Sequence, residues 1–244
     1  MKSRLVRIFG LFFLSLLSIL VIVALFFPAA TAWNLIKDDL QLPQPEFLSL
    51  TGISGTLWQG HLFLSFQNHL PVKVNWEIDG FSPLDLALHY RLLVQEADIQ
   101  LSANLALHAH SLVASQVNGE ISGSELSRFS DLNELSMEGV VQLLNINFSA
   151  DQTWIRSLSG NIEWSGGLIA FQSAAGRISQ HLEPVNGKLF LNETRPAIVF
   201  TLAGSPVLQA ELNQEGWLRL ESANLAGLGL NTVVNSFQYE EKLW

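Results

Sequence analysis

Residues 97–108 read ADIQLSANLALH, and the order of side chains in that stretch decides the fold class. Ala97, Ile99, Leu101, Ala103, Leu105 and Leu107 alternate with Asp98, Gln100, Ser102, Asn104, Ala106 and His108. A period of two sends neighbouring side chains to opposite sides of an extended backbone, so the segment predicts a strand with one apolar and one wet face. Upstream the period recurs, with Val72, Val74, Trp76 and Ile78 alternating with Lys73, Asn75, Glu77 and Asp79. Shorter versions run through Leu62-Leu64-Phe66, Leu84-Leu86-Leu88, Leu144-Ile146-Phe148 and Ile162-Trp164. Others follow in Leu189-Leu191, Ile198-Phe200-Leu202, Leu208-Ala210-Leu212 and Leu218-Leu220.

Turn signals separate these runs at Asn68, Asp79-Gly80, Asn118-Gly119, Ser159-Gly160, Gly166-Gly167, Asn186-Gly187, Ala203-Gly204 and Glu215-Gly216. Such close spacing favours hairpins, because parallel crossovers need a dozen or more residues. The expected fold is mainly β: a single N-terminal transmembrane helix, then one elongated, curved antiparallel sheet or sandwich domain with few short helices. A closed barrel satisfies the same pattern. Two helices are expected after the anchor, one capped by Ser124 and carrying Leu126, Phe129 and Leu132, the other over Ala32 to Leu40, ahead of Pro43 and Pro45.

The N-terminal reading rests on Ile8 to Phe27, IFGLFFLSLLSILVIVALFF, an uncharged run that would span about 30 Å as a helix. A cleaved signal peptide is the rival, since Ala30-Thr31-Ala32 resembles a cleavage site. The run exceeds the usual length of a signal's apolar region, which favours an uncleaved anchor. Lys2, Arg4 and Arg7 precede it, so the N-terminus is expected in the cytoplasm. The resulting plan is a cytoplasmic segment 1–7, an anchor 8–27, a juxtamembrane linker 28–49 and a periplasmic β domain 50–244.

Composition narrows the function. Of 244 residues, 48% are hydrophobic and 14% charged, with no cysteine, which argues against a disordered chain and a disulfide scaffold. All 22 acidic residues lie at or beyond Asp38, so that part should be repelled by nucleic acid. Cysteine nucleophiles are absent, and there is no G-x-S-x-G elbow or phosphate-binding glycine loop. His108 and His110 would share one strand face, but with His61, His69, His89 and His181 scattered no third patterned ligand completes a metal site. Asp38-Asp39 and Glu240-Glu241 read as solvating pairs, and Asn147-Phe148-Ser149 and Asn192-Glu193-Thr194 match a glycosylation sequon. No catalytic residue, metal or cofactor is expected. Trp33 suits a membrane boundary, while Trp58, Trp76, Trp154, Trp164 and Trp217 are expected in the core.

The order of features from Pro28 to Leu92 resembles the type II secretion system protein N family of Gram-negative bacteria. Pro28-Ala29-Ala30 closes the anchor and a spacer with Pro43 and Pro45 follows. Next comes the phrase from Leu50 to Gly60, whose Gly52, Gly55, Thr56, Leu57, Trp58 and Gly60 match the family's v-x-G-T-l-W-x-G signature. The stretch with Trp76, Pro83 and Leu84 is similar to the family's W-x-l-x-P-x-x-L-l, although Asp85-Leu86-Ala87 stands where glycine is more usual. The resemblance implies an accessory inner-membrane subunit that assists export of folded proteins, with other secretion subunits as partners and neither enzymatic activity nor cofactor. AsmA-like envelope proteins carry a related phrase. They supply the alternative, a protein sheltering lipid along an apolar β groove.

Overall fold

Alternation becomes a ladder in the computed structural model, which describes residues 2–36, 48–66, 71–129, 136–173, 176–222 and 238–242. Side chains at 2–12, 24, 36, 48, 66, 129, 171–173 and 178 lie outside that description. Two helices open the chain, α1 (Lys2–Leu25) and α2 (Ala29–Ile36). Next come β1 (Leu48–Gly55), β2 (Gln59–Phe66), β3 (Val72–Ser82), β4 (Ala87–Glu96), β5 (Ile99–Leu107) and β6 (Ser111–Ser122). After α3 (Gly123–Phe129) the chain forms β7 (Ser136–Met137), β8 (Val140–Asp151), β9 (Ile155–Trp164), β10 (Gly167–Ser173) and β11 (Gly176–Leu182). It continues through β12 (Val185–Asn192), β13 (Arg195–Leu202), β14 (Ser205–Leu212), β15 (Trp217–Ser222) and β16 (Gln238–Lys242).

Thirteen strands form one sheet in the order β1-β2-β3-β4-β5-β6-β8-β9-β12-β13-β14-β15-β16, every adjacent pair antiparallel. The order is linear and leaves β1 and β16 as its two edges among the described residues, so the sheet is open rather than a closed barrel. The strands that leave this order, β7, β10 and β11, make a second, three-stranded sheet. That sheet is tied to the first at the ends of β6, β8 and β9 by Gly123 N to Gly139 O (2.8 Å) and Trp164 Nε1 to Glu138 O (2.9 Å).

Register separates the two faces. Partners across a ladder point the same way, and one unbroken line of partners runs Ile53, Leu62, Val74, Val94, Leu101, Gly119, Leu143, Ile162, Gly187, Phe200, Leu208. A parallel line on the opposite face reads Gln95, Gln100, Glu120, Gln142, Glu163, Asn186, Thr201. The apolar face is only half covered. Among the described residues no large side chain is fully buried, and Val94, Ile99, Ala114, Ile146 and Trp164 are among the few apolar groups below a tenth exposed.

Bulges interrupt the register between β1 and β2, β3 and β4, β5 and β6, β6 and β8, β8 and β9, and β13 and β14. Each adds local bend and twist. The β6–β8 pair is the most elaborate. Gln116 and Asn145 both take positive φ (52° and 49°), and each backbone N–H is claimed by an asparagine of the facing strand. Gln116 N donates to Asn147 Oδ1 (3.0 Å), and Asn145 N donates to Asn118 Oδ1 (2.8 Å). Asn147, read from sequence as part of a sequon, is thus engaged in this cross-brace. Amides left without ladder partners by the bulges are satisfied here by side chains.

Several sequence expectations need correction. Asp79-Gly80, Asn118-Gly119, Ser159-Gly160 and Asn186-Gly187 are not turns but lie inside β3, β6, β9 and β12. Three of these glycines sit where a neighbour crowds the backbone: a Cβ on Gly119 would meet Leu101, on Gly160 Ile146, and on Gly187 the Phe200 ring. Gly80 instead marks the β3–β4 bulge. Real reversals occur at residues 97–98, 193–194 and 203–204; Ala203 and Gly204, both at positive φ, form a two-residue hairpin. Asn68 lies outside the described residues. Leu84 and Leu86, expected in a strand, form the β3–β4 turn instead, because Pro83 lacks an N–H for the ladder and Ser82 Oγ is bonded to Asp85 Oδ1.

The short helices also differ in detail. α3 is capped by Ser122, whose Oγ accepts from Glu125 N (3.2 Å), not by Ser124. α2 begins at Ala29, three residues before the expected start, since Pro28 O already accepts from Thr31 N and Ala32 N, each at 3.1 Å. Residues 37–40 of that expectation lie outside the description. α1 covers the expected anchor as far as Leu25, and Phe13–Val23 and Leu25 are exposed. Among the described residues no helix is long and apolar enough to cross a membrane. The continuous run with described side chains, Phe13–Val23, corresponds to only about 17 Å of helix.

Candidate functional site

A set of specific contacts that joins three parts of the protein lies where β1 turns into β2. Gly55 takes φ +103°, a conformation that L side chains rarely adopt, and a Cβ there would strike the backbone of Gln59 and Gly60. Thr56 closes the turn. Its N–H donates to Gln59 O (2.8 Å), and its Oγ1 accepts from Trp58 N (3.2 Å) and Gln59 N (3.3 Å). Leu57 N then donates to Phe27 O (3.1 Å), and Pro28 forms an isolated antiparallel bridge with Thr56.

The strand beyond fixes the turn from the other side. Trp76 Nε1 donates to Thr56 O (3.2 Å), and Ile78 N donates to Trp58 O (2.6 Å). Gly60 pairs with Trp76 across the ladder, and a Cβ on it would overlap the indole ring. Gly52 sits at the β1–β2 bulge beside Phe63, where a Cβ would make only ordinary contact at 3.6 Å. Of the signature residues, Gly55, Thr56, Leu57, Trp58, Gly60 and Trp76 therefore come together. Pro83 and Leu84 do not. They stand in the exposed β3–β4 turn, about 20 Å along the strand from Trp76, and Leu84 is 97% exposed. Ile8 lies within α1, and Phe27 follows that helix, half-buried, with its carbonyl on Leu57.

The remaining polar groupings read as structural. Asp151 caps the β8–β9 turn, taking Thr153 Oγ1 (2.6 Å), Thr153 N (2.8 Å) and Trp154 N (3.1 Å) on Oδ1 and Arg156 Nε (2.5 Å) on Oδ2. The Thr153 hydroxyl, then its backbone N–H and the Arg156 guanidinium, hold this carboxyl well below its ordinary range. A shallow polar depression of about 260 Å³ lies near the far edge, lined by Arg195, Glu211, Asn213, Trp217, Arg219 and Glu240. Its cations are paired internally, Arg195 with Glu211 (3.9 Å) and Arg219 with Glu221 (2.5 Å) and Glu240 (3.6 Å). A groove of about 150 Å³ on the apolar face is lined by Leu158, Leu189, Ile198, Ala210 and Leu218 among others.

His108 and His110 do not share a strand face. They lie in the β5–β6 connection, with His110 Nδ1 3.2 Å from Gln152 Nε2. Among the described residues no group of His, Cys, Asp and Glu is arranged to hold a metal ion. The tryptophans also depart from expectation, since a single layer half-buries rings that two layers would enclose. Among the described residues, Trp164 alone of the tryptophans is buried, at 6% exposed; Trp58, Trp76 and Trp154 are half-buried, and Trp217 is 41% exposed. Sequence reading missed the Phe27 carbonyl and the asparagine brace. The brace leaves a faint trace, the i, i+2 pairs Gln116/Asn118 and Asn145/Asn147.

Comparison with known proteins gives one family. The model of "Type II secretion system (T2SS), protein N" matches residues 46–231. The type II secretion system protein N of Aeromonas hydrophila is 26% identical over 150 residues, covering 54% of this chain and 54% of that protein. The aligned part thus spans about half the length of the curated relative. No solved structure matches.

Proposed function

Because the chain belongs to the type II secretion system protein N family, we propose that it is an accessory inner-membrane subunit of the bacterial type II secretion system. In this reading it assists export of folded proteins through contacts between its sheet and other subunits, and makes or breaks no covalent bond. The carrying observation is the extent of the family match, which takes in the sheet from β1 to β15. Support for an anchor comes from the sequence, in which Lys2, Arg4 and Arg7 precede the uncharged run from Ile8 to Phe27. The basic end stays in the cytoplasm and the sheet lies in the periplasm. Partners add a strand at β1, which carries neither charge nor proline, whereas β16 carries Glu240, Glu241 and Lys242.

Deleting the gene is expected to leave exported proteins in the periplasm, and an alkaline-phosphatase fusion after Trp244 is expected to be active. Secretion unchanged under every condition would remove the export role. An inactive fusion would invert the topology.

The half-covered apolar face favours a second reading, in which the sheet shelters acyl chains. Mass spectrometry of the purified full-length protein separates the two. Lipid at near one-to-one, resisting detergent exchange, is expected only from the second, and crosslinks to secretion subunits without such lipid only from the first.

A further inference from the structure

A turn that only reverses a chain needs its own closing bond, here Thr56 N to Gln59 O. The Thr56-Leu57-Trp58 backbone does more. Its three residues are bonded to two other parts of the protein: the Thr56 carbonyl to Trp76 Nε1, the Leu57 N–H to Phe27 O, and the Trp58 carbonyl to Ile78 N. On one side the partner is β3, a neighbour in the sheet. On the other it is the segment just past α1, some thirty residues earlier in the chain.

We propose that this turn is the joint that fixes the large sheet to the end of the N-terminal helix. A backbone carbonyl just past a helix end has no place in the helix's own ladder and needs a donor from elsewhere. After the last turn of α1, where Phe26 N still donates to Ile22 O (3.1 Å), the Phe27 carbonyl is taken by Leu57. Pro28 bridges Thr56 and its own carbonyl starts α2, so Ala29 is 7% exposed and α2 lies against β1. Within three residues the chain passes from one helix, through the turn, to the next. The chain from Pro28 to Thr56 is therefore closed at its base, and its length does not set how far the sheet swings from α1.

The residue types follow from this role. Thr56 supplies the hydroxyl that holds the Trp58 and Gln59 amides, which aims the Leu57 N–H outward. Trp76 is long enough to reach the Thr56 carbonyl while its ring lies over the bare Gly60 backbone. Trp76 and Thr56 are positioning residues, and Leu57 contributes its backbone alone.

The chain has no cysteine, so spin labels can be placed without removing native thiols. Labels at Ser18 in α1 and Gln95 in β4, both exposed, report across the joint, and labels at Gln95 and Glu163 report within the sheet. In the full-length protein in detergent micelles, electron-resonance distance measurements should give a narrow peak for each pair. Leu57→Pro, which removes the donor to Phe27, and the double variant Thr56→Ala/Trp76→Phe are both expected to lose the narrow Ser18/Gln95 peak and keep the Gln95/Glu163 peak. A narrow Ser18/Gln95 peak in both variants would overturn the proposal. So would parallel broadening of both pairs, which would make the turn a support of the sheet itself. Secretion is not part of the readout, so failure here leaves the export reading standing.

Discussion

Gly119→Val is expected to split the large sheet between β5 and β6. Gly119 has an ordinary backbone conformation, so the obstacle is space alone. A Cβ there would meet the carbonyl oxygen of Gln100, and would stand 2.7 Å from Leu101 Cδ2 and 2.8 Å from Leu101 Cα. Two of these three atoms are backbone and cannot rotate away. Overpacking of this kind costs about 1–3 kcal/mol when the surroundings yield. Here the yielding part would be the ladder, so the upper end is expected for alanine and a loss of the β5–β6 pairing for valine. Gly80→Ala is the control, since Gly80 has nothing within 4 Å of its Cβ position and no positive φ. Urea unfolding of the full-length protein should show a lower midpoint for Gly119→Ala and an unchanged one for Gly80→Ala. Equal midpoints would mean that β5 and β6 sit further apart than their register implies.

Trp164→Ala is expected to release the three-stranded sheet from the larger one. Trp164 lines up with Val141 and Val185 across β8 and β12, and it is the buried tryptophan among those described. Its Nε1 also holds the Glu138 carbonyl beside β7. Removing a buried indole costs about 3–5 kcal/mol, while Trp164→Phe, which gives up mainly the hydrogen bond, should cost about 1–2 kcal/mol. Hydrogen exchange should rise at Glu138, whose amide is bonded to Leu168 O, and at Leu168 to Ala170 in the alanine variant. Strands β2 to β5 should keep their protection. A uniform rise across both sheets would show that the two unfold as one unit.

The period-two pattern carried the architecture because each strand has one solvated side, and the Ile99–Leu107 alternation reappears as two opposite faces of β5. Glycine misleads where its two uses look alike. Gly204 stands in a real hairpin, whereas Gly119 and Gly187 make room for a facing side chain, and only the partner strand distinguishes them. Leu84 and Leu86 misled in the opposite direction, since apolar residues at a turn mimic a strand. At the candidate site, the signature phrase marks Gly55, Thr56, Leu57, Trp58 and Gly60, which do come together. Nothing announced Phe27, because what it contributes is a carbonyl that every residue has.

The strict neighbour order of the large sheet bears on how the protein is made. A chain synthesised from its N-terminus can add each hairpin arm to an edge already in place, and from β2 to β6 no arm has to wait for a later one. Closing distances stay short, which sets this all-β chain apart from the slow-nucleating topologies in which distant segments must first find one another. The delay falls on Ser136–Met137, whose partners Ala170 and Ile169 emerge after two further arms have been laid down. Growth by accretion also means that truncation from the C-terminus would strip the newest rim and spare the oldest.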